Sequence, residues 1–270
     1  MKIIKGDCLI EMSNIPDKSI SLVLVDLPYG QLNKANKNAY WDKPLSMSQL
    51  WSHWRRIIKD RGAIILFGQG MFTAELMKSN PEWWRYNLIW DKRLKTGFLN
   101  AKKMPLRQHE DICVFYAKCP TYNPQMTKGA PLHGRGKLYK TKELSNNCYG
   151  GLSVVEDKRV GSTDKYPTSI LHFDKPHPSK SVHPTEKPIA LLEYLIETYT
   201  NEGDTVLDCC MGSGSAGVAA ANCNRDFIGI ELHPAYFEIA KSRILNKQNN
   251  KHFSDYDRAN TKSYQAHSSR

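Results

Sequence analysis

The chain has 270 residues, of which 40% are hydrophobic and 24% charged, and its formal net charge at pH 7 is +11. This length and balance predict a soluble globular protein, either one domain or a domain with an insertion. No apolar run approaches the ~20 residues of a membrane span, and the N-terminus lacks the apolar stretch of a signal peptide, so we expect a cytoplasmic protein. The basic surplus favours a polyanionic partner, although composition alone leaves an inert basic surface as an equal alternative.

The seven cysteines are an odd number in a chain without an export signal, which is typical of buried thiols in a reducing compartment. Cys209 and Cys210 are neighbours and cannot pair with each other in ordinary geometry. No pair of cysteines or histidines has the spacing of a zinc site, so we predict no bound metal.

Predicted strands and helices alternate along the first 120 residues. Short apolar runs predict strands, and the apolar spacing between Ser46 and Lys59 predicts an amphipathic helix. The predicted strands are 2–5, 21–25, 63–67, 86–90 and 112–116. We therefore interpret residues 1–120 as one half of an α/β domain with a mostly parallel sheet.

The pattern changes after residue 120, where Gly, Pro, Ser, Asn, Thr and Lys dominate and apolar runs are few. A structureless loop of that length is unusual, so residues 121–182 are interpreted as a small inserted region. Regular elements return over 183–247, with a helix from 188, a strand at 205–208, a strand at 227–231 and a helix from 233 to 246. The remaining residues, 248–270, are predicted to be a disordered basic tail.

The tetrapeptide Asp26-Leu27-Pro28-Tyr29 directly follows the apolar run that ends at Val25. It places an acid, a proline and an aromatic ring where a parallel strand ends, which is where α/β sheets hold their ligands. This combination suits a flat base that carries an amino group. Taken alone, the four residues fit an Asp-capped Pro-Tyr turn at least as well.

A second site is indicated by the segment from Asp208 to Gly217, in which Gly212, Gly214 and Gly217 lie between a strand and a helix. Read literally, this spacing is a dinucleotide-binding fingerprint. Glu231 follows these glycines at about the sequence separation expected for an acid that binds the ribose. A nicotinamide-dependent dehydrogenase is therefore a competitor. However, a carboxylate at Asp208 would repel a pyrophosphate and would suit the ammonium and sulfonium groups of S-adenosylmethionine (SAM).

Together these motifs resemble the amino-methylating DNA methyltransferases of the permuted (beta) class, in which the catalytic half precedes the cofactor half. The resemblance rests on Gly6-Asp-Cys-Leu with Asp26-Leu-Pro-Tyr-Gly, on Gly97-Phe-Leu-Asn-Ala-Lys-Lys with His109-Glu-Asp-Ile, and on 183–208 continuing into Met211-Gly-Ser-Gly-Ser and Phe227-Ile-Gly-Ile-Glu-Leu. It covers roughly 1–120 and 180–246. It implies a Rossmann-like SAM-dependent fold with helices on both sheet faces, and it makes 121–182 a target-recognition insertion.

The resemblance also implies the roles of the site residues. Asp26 and the Leu27 carbonyl would accept both N–H groups of the target amine, while Tyr29 would stack on the flipped base and Pro28 would stiffen the turn. Glu231 would hold the ribose hydroxyls. The other expected SAM contacts are Asp7 near the adenine, Thr185 and Lys187 near the methionyl carboxylate, and Asp208, Gly212 and Gly214 around the methionyl group.

This chain departs from the family at two places. Leu27 replaces the usual second-position proline, but it supplies the same backbone carbonyl, so we expect activity to survive. Cys209-Cys210 replaces Pro-Phe after Asp208, which changes packing but not the carboxylate.

The expected partner is double-stranded DNA, contacted through clustered basic side chains with interleaved aromatic residues. Lys92 to Arg107 contains six basic residues and no acidic one. The predicted DNA contacts are Lys92, Arg93, Lys95, Lys102, Lys103, Arg107, Arg135, Lys137 and Lys140. The resemblance also allows a homodimer and a cognate restriction endonuclease, in a bacterial or phage-encoded protein that acts in the host cytoplasm.

The favoured reaction is methylation of adenine N6, because family members that act on cytosine tend to carry Ser at the position of Asp26. The alternatives are methylation of cytosine N4, methylation of a base in RNA, and a non-catalytic DNA-binding protein that retains the fold. Intact acids at both sites argue against the non-catalytic reading, and the dehydrogenase reading leaves Asp26–Tyr29 and the charge of +11 unexplained.

Overall fold

The computed structural model describes residues 1–30, 43–131, 161–175 and 186–247. The chain divides into two compact units, one formed by Met1–Asn123 with Ser169–Arg270 and the other by Pro124–Thr168. Within the described ranges, no helix combines the length and the apolar character needed to cross a membrane. The predictions that lie outside these ranges concern Thr185, Arg135, Lys137, Lys140 and the 248–270 tail.

The first unit is built on an eight-stranded sheet. Its strands are β1 (Lys2–Lys5), β2 (Ile20–Val25), β3 (Ile58–Gly68), β4 (Trp84–Thr96), β5 (Arg107–Phe115), β8 (Ile170–His172), β9 (Thr205–Asp208) and β10 (Asp226–Glu231). Their order is β1-β10-β9-β2-β3-β5-β4-β8, and only the two pairs that involve β5 are antiparallel. The predicted mostly parallel sheet is confirmed.

Helices cover both faces of this sheet. They are α1 (Cys8–Glu11), α2 (Met47–Ile57), α3 (Met71–Ser79), α4 (Ile189–Tyr199), α5 (Ser215–Asn222) and α6, helical over 234–247. Successive β2 residues point to opposite faces, as a strand requires. Leu22 and Leu24 therefore pack in a core with α4, α5 and α6, whereas Val23 and Val25 pack in a second core with α1, α2 and α3.

The helix predicted over 46–59 is confirmed, but it ends at Ile57. Leu50, Trp51, Trp54 and Ile57 are buried and form its apolar stripe. The next residue, Ile58, already pairs with Ile20 of β2, so pairing with the sheet ends the helix.

The predicted insertion, 121–182, is too long at its C-terminal end. The second unit runs only from Pro124 to Thr168 and contains a two-stranded antiparallel ladder of β6 (Thr127–Lys128) and β7 (Asp164–Lys165). From Ser169 the chain belongs to the first unit, because β8 pairs in parallel with β4 and buries Leu171. Three residues are too few to show a periodic pattern in the sequence.

Candidate active site

Four acidic residues lie at consecutive positions along one edge of the sheet. In the order of the strands β1, β10, β9 and β2 they are Asp7, Glu231, Asp208 and Asp26. Each ends its strand or follows it within two residues, and parallel strands bring their carboxyl ends to the same edge. All four line one cavity of about 1300 Å³. The two predicted sites therefore share one cavity.

The Asp26–Tyr29 tetrapeptide forms one wall of this cavity. The Tyr29 hydroxyl donates a hydrogen bond to Asp26 Oδ1 at 3.0 Å, and the Tyr29 ring packs against Phe72 with 4.5 Å between ring centroids. The Leu27 side chain is buried in the core, so the difference from proline at this position changes packing beneath the cavity. Asp26 and Tyr29 supply the side-chain chemistry of this wall.

A largely buried series of alternating charges fixes the other side of the Asp26 carboxylate. Lys187 Nζ donates to Asp26 Oδ2 at 2.5 Å and lies 3.4 Å from Glu110 Oε2. Lys92 Nζ donates to Glu110 Oε1 at 3.1 Å. Two carboxylates and two ammonium groups thus form a network with no net formal charge, which limits the cost of burying them.

The pKa shifts follow this arrangement. Burial raises the pKa of Asp26, and the attraction of Lys187 offsets only part of that effect. Burial also opposes ionisation of Glu110, but Lys187 and Lys92 outweigh it and lower the pKa of Glu110. Burial would lower the pKa of Lys187, yet Asp26 and Glu110 outweigh it and raise that pKa. Asp26 is therefore the acid of this network that most readily takes up a proton.

One prediction about a lysine needs correction, and another stays a prediction. Lys187 was expected near a methionyl carboxylate; it lines the cavity and its ammonium group pairs there with Asp26 and Glu110, so that role stays a prediction. Lys92 was expected to contact DNA, but it is only 4% exposed and is paired with Glu110. Glu110 itself was not among the predicted site residues. Glu110 lies between His109 and Asp111 in the polar first half of β5, so no local pattern distinguished it from an exposed acid.

Asp208 lies deeper in the cavity wall and is 7% exposed. Its Oδ1 accepts a hydrogen bond from the Cys210 backbone N–H at 3.0 Å. Burial raises the pKa of Asp208 to about 8, and the nearby charges of Asp26 and Glu231 add to the shift. A cationic ligand group in the cavity would favour the charged form of this carboxylate.

Glu231 organises the glycine-rich turn. Its Oε2 accepts from the Gly212 N–H at 2.8 Å and its Oε1 accepts from the His233 N–H at 2.7 Å. Each carboxylate oxygen can accept one further hydrogen bond, so binding two hydroxyl groups is compatible with this geometry. Gly212 lines the cavity with a φ of +52°, and a Cβ atom there would enter open space.

Gly214 has a packing role in addition to the one predicted. Its expected part in shaping the methionyl pocket stays a prediction. A Cβ atom at Gly214 would come within 2.8 Å of Ala240 Cβ on α6. The glycine allows α5 and α6 to pack closely, and its φ of +82° also favours glycine.

Asp7 is both a helix cap and a cavity residue. Its Oδ1 accepts from the Leu9 N–H at 2.8 Å at the start of α1, and the residue also lines the cavity. The adjacent Cys8 meets Cys209 and Cys210, and the three sulfur atoms lie within 4.8 Å of one another. Hydrogen bonds from the other two thiols lower the pKa of Cys8. The expectation that the chain binds no metal stays a prediction.

The remaining basic residues that were predicted to contact DNA and that the structure describes are exposed. They are Arg93, Lys95, Lys102, Lys103 and Arg107. They surround the connection from β4 to β5, and Arg107 also lines the cavity. Because β4 runs parallel to β3 and β5 runs antiparallel to it, this connection lies at the same sheet edge as the acids.

Comparisons with known proteins agree with the fold. The Type II methyltransferase M.HinfI of Haemophilus influenzae is 28% identical, in an alignment that covers 90% of this chain and 67% of the relative. The M1.HpyAVI–SAM complex superposes with a TM-score of 0.59 at 19% identity, over 90% of this chain and 98% of the other. The PvuII DNA methyltransferase (cytosine-N4-specific) has a TM-score of 0.61 at 17% identity, over 91% and 90% of the two chains.

At these identities the two solved structures support the fold alone, and they confirm the expected Rossmann-like α/β architecture. The family model for N6/N4 methyltransferases, described as DNA methylase, matches residues 20–242. That range includes Asp26, Asp208 and Glu231 and covers most of the chain. The protein therefore belongs to the N6/N4 DNA methylases, the amino-methylating DNA methyltransferases that its sequence motifs resemble.

Proposed function

We propose that this protein transfers a methyl group from SAM to the N6 amine of an adenine that is flipped out of duplex DNA. The observation that carries the proposal is that the Asp26–Tyr29 wall and the acids Asp208 and Glu231 line a single cavity. The choice of adenine rests on Asp26, where family members acting on cytosine tend to carry Ser. Methylation of cytosine N4 is the alternative within the same family.

The residues of the cavity fit SAM. Open space beside Gly212 allows a ligand to approach the backbone, and Glu231 has acceptor positions left for ribose hydroxyls. Asp208 offers a carboxylate to the cationic methionyl part. When bound, SAM supplies a methyl group on a positively charged sulfur, which makes that carbon an electrophile.

Asp26 would prepare the target amine for attack. Its two oxygens already accept from Tyr29 and Lys187, but each can accept once more, so an N–H of the amine can bind without displacing either partner. That bond, with one to the Leu27 carbonyl, localises and aims the nitrogen lone pair and stabilises the positive charge that develops there. The raised pKa of Asp26 suits it to receive the proton that leaves nitrogen after methylation.

The decisive experiment combines mass spectrometry and sequencing. The purified protein is incubated with SAM and mixed double-stranded DNA, and the digested nucleosides are analysed. We expect N6-methyl-2′-deoxyadenosine, and methylation-sensitive sequencing then gives the recognition site. N4-methylcytosine would replace the adenine assignment, whereas DNA without any methylation would contradict the enzymatic proposal in favour of a non-catalytic DNA-binding protein. RNA in a parallel reaction tests the RNA alternative.

Proton release accompanies cofactor binding in this proposal. Because burial raises the pKa of Asp208 to about 8, the free protein holds a proton there below that pH. Pairing with a cationic ligand requires the charged form, so SAM affinity should increase by up to about tenfold per pH unit between roughly pH 6 and 8, and then level off. Calorimetry in two buffers of different ionisation enthalpy measures the released proton.

The matched variants for this prediction are Asp208→Asn and Asp60→Asn. The first removes the titrating group and should flatten the pH dependence. The second changes an exposed acid that pairs with Lys18 and Lys118 and should preserve it. A heat of binding that is independent of the buffer in the unmodified protein would disprove the proton linkage.

The proposal extends to the partners and the location predicted from the sequence. Duplex DNA is the substrate expected of this family. A homodimer, a cognate restriction endonuclease and action in the cytoplasm are retained as parts of the proposal. They rest on the resemblance and on the name of the Type II relative.

A further inference from the structure

The connection between β4 and β5 ends in two strongly exposed apolar side chains. Phe98 is 81% exposed and Leu99 is 97% exposed. The turn that carries them is built by its own backbone bonds, from the Asn100 N–H to the Gly97 carbonyl at 2.9 Å and from the Ala101 N–H to the Phe98 carbonyl at 3.0 Å. An ordered turn therefore presents a ring and a branched aliphatic chain to solvent.

The base of this hairpin is held firmly. Gln108 Nε2 donates to Asp91 Oδ1 at 2.9 Å across the two strands, and the Thr96 hydroxyl donates to the Arg107 carbonyl at 3.1 Å. After the turn, Met104 and Arg107 line the catalytic cavity. The apolar tip is thus joined by a few residues, on a fixed support, to the rim of the cavity that would receive the base.

The charge around the tip identifies its partner as a polyanion. Exposed lysines and arginines occupy both sides of Phe98 and Leu99, and no acidic residue lies between Lys92 and Gln108. A second copy of this chain would bring the same positive charges together, which opposes self-association through this face. Duplex DNA offers phosphates to the basic side chains and stacked bases to the apolar ones.

We propose that Phe98 and Leu99 insert into the base stack beside the target and stabilise the duplex from which the base has been flipped. Apolar side chains serve as such wedges in other DNA-binding proteins, where they offset part of the cost of unstacking. The inference rests on the proposed function, since it assigns to these residues the step that opens the duplex. It assigns them no part in methyl transfer itself.

The test compares Phe98→Ala and Leu99→Ala on two duplexes that contain the recognition site. In one the target base is paired, and in the other it stands opposite a mismatch and is already unstacked. Single-turnover methylation of the paired duplex should fall about 10- to 100-fold, because flipping costs a few kcal/mol. Methylation of the mismatched duplex should remain within about threefold of the unmodified protein, since most of that cost is absent.

Two controls separate the wedge from other roles. Leu245→Ala removes an exposed leucine on α6 and should leave both rates unchanged. Phe98→Trp keeps a stacking ring and should retain most of the rate on the paired duplex. A fluorescent adenine analogue at the target position reports flipping directly, and its signal should be reduced by Phe98→Ala on the paired duplex only.

Other results would overturn the inference. An equal loss of methylation rate on both duplexes would mean that Phe98 and Leu99 act in methyl transfer or in folding. An unchanged rate on the paired duplex would mean that they do not help to open the duplex. If the unmodified protein methylates neither duplex, the proposed function fails and the wedge fails with it. If only the roles assigned to Phe98 and Leu99 are wrong, the unmodified protein still methylates both duplexes.

Discussion

Asp26→Asn should reduce the single-turnover rate of methyl transfer by about 10²- to 10³-fold, a loss typical of removing one preorganised electrostatic contact to the reacting group. The substitution keeps the size of the side chain but removes its charge. It also places an amide either against the Lys187 ammonium group or toward the Tyr29 hydroxyl, so one existing hydrogen bond is weakened. The rate is measured with radiolabelled SAM and saturating DNA.

The control for this experiment is Asp60→Asn. Asp60 is exposed and lies in the first half of β3, away from the carboxyl edge of the sheet, so its loss should not affect the rate. SAM binding to the Asp26 variant, measured by calorimetry, shows whether the cavity is intact. A variant with intact binding and a nearly unchanged rate would disprove the role assigned to Asp26.

Lys187→Met should have the largest effect on stability. The substitution leaves the Asp26 and Glu110 carboxylates facing each other without the cation that joins them. Removing one partner of a buried ion pair costs about 3–5 kcal/mol, which for a chain of this size is a fall in Tm of roughly 10 °C. Thermal unfolding of the free protein measures this loss.

The same substitution should change the pH dependence of activity. Lys187 is the main group that opposes the effect of burial on Asp26, so its removal raises the pKa of Asp26 further. Asp26 must be ionised to stabilise the positive charge on the amine and to receive its proton, so the acidic limb of the profile of kcat/KM should move to higher pH. Lys187→Arg, which keeps the charge, should restore part of the original profile.

Lys118→Met provides the matched control. Lys118 pairs with Asp60 at the surface, and exposed ion pairs contribute about 0–1 kcal/mol. Its loss should leave both Tm and the pH profile nearly unchanged. A pH profile of Lys187→Met that coincides with that of the unmodified protein would show that Lys187 does not set the ionisation of Asp26.

Much of the fold could be predicted because its strands are marked locally. The run that ends at Val25 is fully buried in β2, and a continuous apolar run is typical of a parallel strand covered on both faces. The strand predicted at 205–208 is β9 without change. β8 was missed, because a three-residue strand at the edge of the sheet depends on its partner β4 and has no periodicity of its own.

The acids of the cavity were predictable for the same reason. Asp26, Asp208 and Glu231 end or follow apolar strands, and the carboxyl ends of parallel strands meet at one edge. The glycines were harder to interpret. The sequence of a Gly-rich turn does not show whether a given glycine makes room for a bound ligand or for the close packing of a helix. Gly212 borders the cavity, whereas Gly214 accommodates α6.

The sequence by itself determined the membership in a family of DNA methylases, the acids at the strand ends and the basic surplus. Each of these depends on residue types and motifs that do not require the tertiary structure. Only the tertiary structure decided which charges meet. It joined Lys187 to Asp26 and Glu110, buried Lys92 and brought the three thiols together. Such partners are far apart in the chain, and their distances are set by strand order and helix packing, which local patterns do not encode.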